Sequence, residues 1–297
     1  MPVLRFVLLD VPISIECPDQ EVLGEVARWY GGCPAFDLAD DADEAGPILT
    51  AHLRATPQGW GIDVDARASL VVDGHRGVQE AIRRLNHEVL HGLMLRRPDL
   101  FFVHAGVVAV AEAAVILPGL SRAGKSTLVL ALVEAGARLL SDEVLAYDPR
   151  TRSVLPVPRA IKIRDACLRY FSGLAPSFVG TGEMRCLPMA SVHSVGPAYP
   201  ALLVAPHWDP EADNEVEALT LGGAVLELTK SALNFGTHRE QSIDHLVDIA
   251  AAVRGHRLAW SDPHVAAKQV LASLREQSEV GPSGSGDPRG PTSKLRS

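Results

Sequence analysis

Apolar and polar residues alternate with a short period over the first ~75 residues and with a longer one after that. The stretches at 4–15 (LRFVLLDVPISI), 47–55 (PILTAHLRA), 61–66 (GIDVDA) and 69–73 (SLVVD) are strand-like, separated by clusters of Gly, Pro and Asp. They predict a small β-rich region over residues 1–75 with no recognisable chemistry. From residue 75 the period changes. Val78, Ala81, Ile82, Leu85, Val89, Leu90, Leu93 and Met94 recur at spacings of three and four, an amphipathic helical stripe that Pro98 closes.

Two apolar runs follow, FFVHAGVVAV (101–110) and AAVILPG (113–119), and read as an antiparallel pair across a short turn. A helix is expected from Ser126 to Ala135, stopped by Gly136. Ala137–Leu140 reads as a buried strand that runs into Ser141-Asp142-Glu143, and 144–157 as a hairpin turning at Asp148–Arg152. Further strands are expected at 159–164 (RAIKIR) and 201–206 (ALLVAP), and helices near 222–234, 239–254 and 263–277. The end of the chain, 279–297, is almost without apolar residues and reads as a disordered tail. Strands interleaved with helices make this an α/β chain with a mixed sheet over 76–278, preceded by the β-rich region.

Composition narrows the classes. With 47% hydrophobic residues in 297, a sizeable core can form. A net charge of −8 argues against nucleic acid and against an anionic membrane as partners, since both require a positive face; only a local basic pocket is left open. The four cysteines, Cys17, Cys33, Cys167 and Cys186, form no C-x-x-C pair and read as reduced, mostly buried thiols. The N-terminus has no basic segment ahead of an apolar one, and Asp10 interrupts it, so it reads as a first strand and not as a signal peptide. The run Ala105–Ala111 is far too short to span a bilayer. The expectation is a soluble cytoplasmic protein.

Two motifs compete for the chemistry. Residues 87–91, HEVLH, match H-E-x-x-H, which places two histidines on one helix face as zinc ligands around a general base. The longer zinc-peptidase pattern fails, because Met94 and Arg97 stand at its later positions, and Glu112 sits in a tight turn and not on a second helix. His87, Glu88 and His91 therefore read as decoration on an amphipathic helix. The second motif is Gly119-x-x-x-x-Gly124-Lys125-Ser126, a complete P-loop between an apolar strand and a helix. Its amides and the helix N-terminus offer partial positive charge to an anion. The nucleotide site would be Gly119, Leu120, Ser121, Arg122, Ala123, Gly124, Lys125, Ser126 and Thr127, with ATP and Mg²⁺ as ligands. The carboxylates Asp142 and Glu143 close the next strand, where they can hold metal or take a hydroxyl proton.

Order and spacing around this loop resemble HPr kinase/phosphorylase and its relatives, which share a fold with phosphoenolpyruvate carboxykinase. His104 precedes Gly119 by 15 residues, and Asp142 and Glu143 follow Lys125 by 17 and 18. The resemblance covers about 101–147. It departs from the family at His104-Ala105, where the family has His-Gly, and at Asp142-Glu143, where it has paired aspartates. PVPRAIKIRD stands where the family carries a Gly-rich signature tied to Mg²⁺ binding and dephosphorylation. The chain is thus more similar to the divergent HPr-kinase-related proteins, with neither HPr as substrate nor phosphorylase activity implied. What the resemblance implies is a P-loop kinase domain over 76–278 that transfers the γ-phosphate of ATP to a hydroxyl, a Ser or Thr of a peptide or small protein. Lys125 would stabilise the moving phosphoryl group, Ser126 and Glu143 would hold Mg²⁺, Asp142 would be the general base, and His104 would tune the pair. HPr kinases oligomerise, so a homo-oligomer is implied too. The alternative is a nucleotide-binding regulator without turnover. Arg159, Lys162 and Arg164 are expected to share one strand face, ready for phosphate or an acidic peptide.

Overall fold

The computed structural model describes residues 1–35, 48–65, 70–73, 77–174, 184–187 and 196–279. The chain begins with a hairpin, β1 (Val3–Leu8) and β2 (Val11–Glu16), with Leu8 opposite Val11. Leu9 and Asp10, the two turn residues, both have positive φ, 50° and 61°, as a twist-matched two-residue turn requires. A helix follows that the strand-like pattern of this region did not lead us to expect. In α1 (Gln20–Trp29), the Asp19 carboxylate accepts from the N–H groups of Glu21 and Val22. Val22, Leu23 and Val26 are buried. An N-cap Asp ahead of a three-and-four stripe is a legible helix start.

Strands β3 (Leu49–Thr56), β4 (Gly59–Val64) and β5 (Leu70–Asp73) complete a five-stranded sheet in sequence order, with β3 parallel to β2. Helix α2 (Gly77–Arg96) lays Ala81, Ile82, Leu85, Val89 and Leu93 into the core of this sheet.

The run at 101–110 is not one strand. It breaks at His104 into β6 (Phe101–Val103) and β7 (Ala105–Val110), which belong to different sheets. The backbone N–H of His104 leaves both ladders and donates to the carbonyl of Ser231. Strand β8 (Ala113–Pro118) pairs with β7 antiparallel across a turn at Ala111 and Glu112, as expected. Helix α3 (Lys125–Glu134) comes next, then β9 (Arg138–Ser141), the hairpin β10 (Leu145–Asp148) and β11 (Ser153–Leu155), and β12 (Ile161–Arg164). A 3-10 turn spans Asp165–Tyr170, and β13 (Met184–Leu187) pairs with β12. The remaining elements are β14 (Tyr199–Trp208), β15 (Glu215–Leu219), α4 (Leu221–Thr229), the short α5 (Phe235–His238), α6 (Gln241–Ala252), β16 (Arg254–Trp260) and α7 (Pro263–Glu279). The helix expected near 222–234 thus ends at Thr229. The tail read at 279–297 lies outside the described residues beyond Glu279.

Six strands form the central sheet in the order β15-β16-β14-β8-β7-β9. Strand β14 is parallel to β8 and β16, while β7 is antiparallel to both β8 and β9. The protein is a mixed α/β structure. Helices α3 and α7 share one core with this sheet through Leu128, Leu132, Val270 and Leu274; α4 and α6 share the opposite core through Leu228, Leu246 and Ile249. The small sheet β11-β10-β6 joins the two halves, since Phe102 and Ala146 enter the core of the first sheet while Phe101 and Tyr147 enter that of α4 and α6. Among the described residues, no helix is long and apolar enough to cross a membrane.

Candidate functional site

The loop at 119–124 leaves β8 and enters α3 through three residues with positive φ: Gly119 at 149°, Arg122 at 74° and Gly124 at 88°. Gly124 is the N-cap of α3. A Cβ there would drive into the Trp260 ring and stand 3.2 Å from Cβ of Trp208, so both backbone angle and crowding demand glycine. The Lys125 ammonium folds back over the loop and donates to the carbonyls of Gly119 at 2.7 Å and Leu120 at 2.9 Å. Burial lowers the Lys125 pKa, and the Asp142 and Glu143 carboxylates oppose that shift.

Asp142 and Glu143 follow β9. Ser141 shapes their turn, its hydroxyl accepting from the N–H groups of Glu143 and Val144. The two carboxylates differ sharply. Asp142 is buried; its Oδ2 accepts from the Lys162 N–H at 3.1 Å, and its Oδ1 has no hydrogen-bond partner. Burial raises its pKa to about 7, against the lowering effects of the Lys162 N–H, the Ser126 hydroxyl and the Lys162 charge.

Glu143 keeps 33% of its side chain exposed through the cleft mouth although protein surrounds it on most sides. Burial pushes its pKa up, but Lys162, Arg159 and His104 together outweigh this and leave it at about 2. Its Oε2 lies 3.2 Å from Arg159 Nη1 and 3.4 Å from Lys162 Nζ. His104 Nδ1 is 2.8 Å from the Glu143 carbonyl. A carbonyl only accepts, so Nδ1 carries the proton and Nε2 is left as an acceptor. Burial lowers the His104 pKa, and Lys125 adds to the effect.

The three cations of 159–164 do not share a strand face. Arg159 precedes β12 and is 5% exposed, behind Glu143. Lys162 is half-buried beside the carboxylates, and Arg164 is exposed at the cleft. The end of α1 completes this wall. Lys162 Nζ is 4.5 Å from the Trp29 ring centroid, and the Arg159 guanidinium carbon is 5.8 Å from that of Tyr30. The Trp29 carbonyl accepts from the Ala160 N–H at 3.0 Å, and the Cys33 thiol donates to the Pro158 carbonyl. Trp29 and Tyr30 were missed because cation–aromatic pairing across about 130 residues has no sequence spacing to betray it.

These groups open into a cleft of about 620 Å³, in the range of small-molecule sites. Of the residues singled out from the sequence, His104, Ser121, Arg122, Gly124, Lys125, Ser126, Thr127, Asp142 and Glu143 line it. Gly119, Leu120 and Ala123 form the loop behind. Five cations, Arg122, Lys125, Lys162, Arg164 and Arg169, face two carboxylates there, a basic pocket in an acidic chain. The donor set suits Mg²⁺, which keeps several waters and takes one or two carboxylates: the Ser126 hydroxyl and Glu143 Oε1 are oxygen donors, and Asp142 Oδ1, which has no partner, is left to accept a proton.

HEVLH has no such company. His87 keeps 64% of its side chain exposed, and His91 is exposed too. Among the described residues, no group of three or more His, Cys, Asp or Glu side chains could hold a metal ion.

No protein-family model matches the sequence, and no curated protein sequence matches it. Among solved structures, the HPr(Ser) kinase/phosphatase from Coxiella burnetii is similar at 13% identity and a TM-score of 0.30, covering 60% of this chain and 98% of its own. A likeness of that size assigns no activity.

Proposed function

We propose that the chain is an ATP-dependent P-loop kinase of the HPr-kinase-like type, moving the γ-phosphate to a hydroxyl of a peptide or small protein. One observation carries the reading. A buried carboxyl with pKa about 7 and an unpartnered oxygen, Asp142, shares a cleft with the loop lysine Lys125. A base is most effective when its pKa lies near the working pH. In the step proposed, the acceptor hydroxyl gives its proton to Asp142 Oδ1 while its oxygen bonds to the γ-phosphorus. The bond from that phosphorus to the β–γ bridging oxygen breaks, and ADP leaves. Lys125 and the amides of the loop offset the negative charge on the phosphates. Bound Mg²⁺ would share that task; the Ser126 hydroxyl would hold it, with Oε1 of Glu143, whose Oε2 is already shared by two cations. His104 holds the Glu143 backbone in place and tunes the pair.

Incubating the protein with γ-labelled ATP and cell extract tests this. Asp142→Asn should lower transfer about 10²- to 10⁴-fold while ATP still binds. Undiminished labelling by the variant would remove Asp142 from the base role. Wild-type protein that binds ATP and transfers nothing would favour the regulator without turnover.

A further inference from the structure

The cleft has a second end that phosphate chemistry does not use. At one edge of the central sheet, β8 runs into the loop, and the strand order β16-β14-β8-β7-β9 sorts what lies on either side. On the β7 and β9 side stand His104 and Asp142. On the β14 and β16 side stand Trp208 and Trp260, the last residues of two neighbouring parallel strands, directly opposite each other in register. Both touch the space beside Gly124. Ligands of open α/β sheets sit beyond such carboxyl ends of strands.

Trp260 is buried beneath this end, and its indole N–H has no hydrogen-bond partner. Trp208 is 40% exposed and lines the cleft. Tyr170 lines it too, at the end of the 3-10 turn. His264 Nε2 donates to the Tyr170 carbonyl at 2.8 Å, and the Arg169 guanidinium lies 4.9 Å from the Tyr170 ring centroid. Aromatic surface, with Arg169 on it, is therefore held at one end of the cleft, with the two carboxylates, Lys125 and Lys162 at the other and the loop between them.

We infer that Trp208 and Tyr170 form a nucleobase subsite, on which the base of a nucleoside triphosphate stacks while its phosphates cross the loop toward Asp142. The inference rests on the reading of the loop as a nucleotide site and deepens it. An indole face accepts any base, so ATP and GTP should bind within a few-fold of each other. The unsatisfied Trp260 N–H is a donor at the end where a base or ribose brings acceptors.

Calorimetric titration of the full chain with Mg²⁺–ATP and with Mg²⁺–tripolyphosphate tests it. Wild-type protein should bind ATP more tightly than tripolyphosphate. Trp208→Ala should weaken ATP about five- to a hundredfold and leave tripolyphosphate unchanged. Trp208→Phe keeps an aromatic face and should hold ATP within a few-fold of wild type, which guards against a mere folding defect. Tyr170→Ala should weaken ATP alone by a smaller factor. Equal loss of both ligands in Trp208→Ala would make Trp208 a prop for the loop and overturn the subsite. So would equal affinity of wild-type protein for both ligands, with the phosphate site left standing. Binding of neither ligand by wild-type protein would bring down the nucleotide reading, and the subsite with it.

Discussion

Helices α2 and α3 each carry a motif that links sequence to chemistry, and each starts at a glycine with positive φ, 71° at Gly77 and 88° at Gly124. Their surroundings differ. Helix α2 buries one stripe in the first sheet and turns His87 and His91 to solvent. Helix α3 is buried from Thr127 to Leu132, and its N-terminus opens into a cleft to which five strands of the central sheet and β12 bring their ends. Among the described residues the two histidines of the pentapeptide have no third ligand beside them; the loop has a lysine, a buried carboxylate and a basic wall contributed by other elements. A short motif becomes a candidate site when the fold brings it partners, and only α3 receives them.

The starting glycines sharpen this most. Gly124→Ala must find room against Trp260 and adopt a left-handed backbone, whereas a Cβ on Gly77 meets nothing within 4 Å among the described residues. Overpacking and αL strain together should cost Gly124→Ala about 2–5 kcal/mol. Gly77→Ala carries the strain alone, partly offset by a stiffer unfolded chain, and should cost about 1 kcal/mol. Urea denaturation of both variants measures the gap. Equal costs would mean that the crowding at the α3 start is illusory.

Much of the α3 side was legible beforehand because it is local. The glycines of the loop, the strand before it and the acidic pair lie within about 30 residues, and periodicity places each on its element. The spacing of His104 could be read, but not that the chain changes sheets there. An apolar run is ambiguous when both its halves are buried, and a single backbone N–H turned to Ser231 decides the break. Arg159 was misplaced by parity: it stands three residues before Lys162, an odd spacing that puts it on the other face from Lys162 and Arg164 in any strand, and β12 itself begins only at Ile161. Helix α1 was obscured by the strands around it. Trp29 and Tyr30 then lay beyond reach, since their pairing with Lys162 and Arg159 exists only in the folded chain.

The second contrast is electrostatic and lies within the α3 cleft. In metal-free protein, Asp142 titrates near 7 when folded, against a carboxylate's ordinary value of 3.8. The folded state then holds a proton that the unfolded state has lost, so stability falls as pH rises from about 4 to 7 and stays reduced above. Glu143 behaves oppositely. Its folded value of about 2 lies below the usual 4.5, so its contribution is full above pH ~4.5 and disappears as pH falls toward 2. Asp142→Asn should therefore melt a few degrees higher than wild type at pH 8 and level with it at pH 4. Glu143→Gln should melt lower at pH 8, with the gap closing in acid. Thermal melts in EDTA at pH 8 and 4, and at pH 2 for Glu143→Gln, check both, and parallel curves for all three proteins would refute the assignment. A more stable Asp142→Asn that no longer transfers phosphate would mark this carboxylate as one kept for function at a cost in stability.

The smallest effect belongs to α2. His87 and His91 lie outside the stripe that packs on the first sheet, and neither borders the cleft. Replacing both with alanine removes no core contact and, on a helix, puts in a residue of higher propensity. The double variant should unfold within about 0.5 kcal/mol of wild type, as surface substitutions do, and should transfer phosphate at the wild-type rate. Metal content of the purified protein makes the test decisive. Stoichiometric zinc in wild type that is lost with His91→Ala would mean that α2 has a ligand partner after all, and the contrast between the two helices would collapse. Absent that, the same four-residue spacing that presents two histidines to zinc in a peptidase here presents them to water, because Val89 and Leu93 have already fixed which way the helix faces.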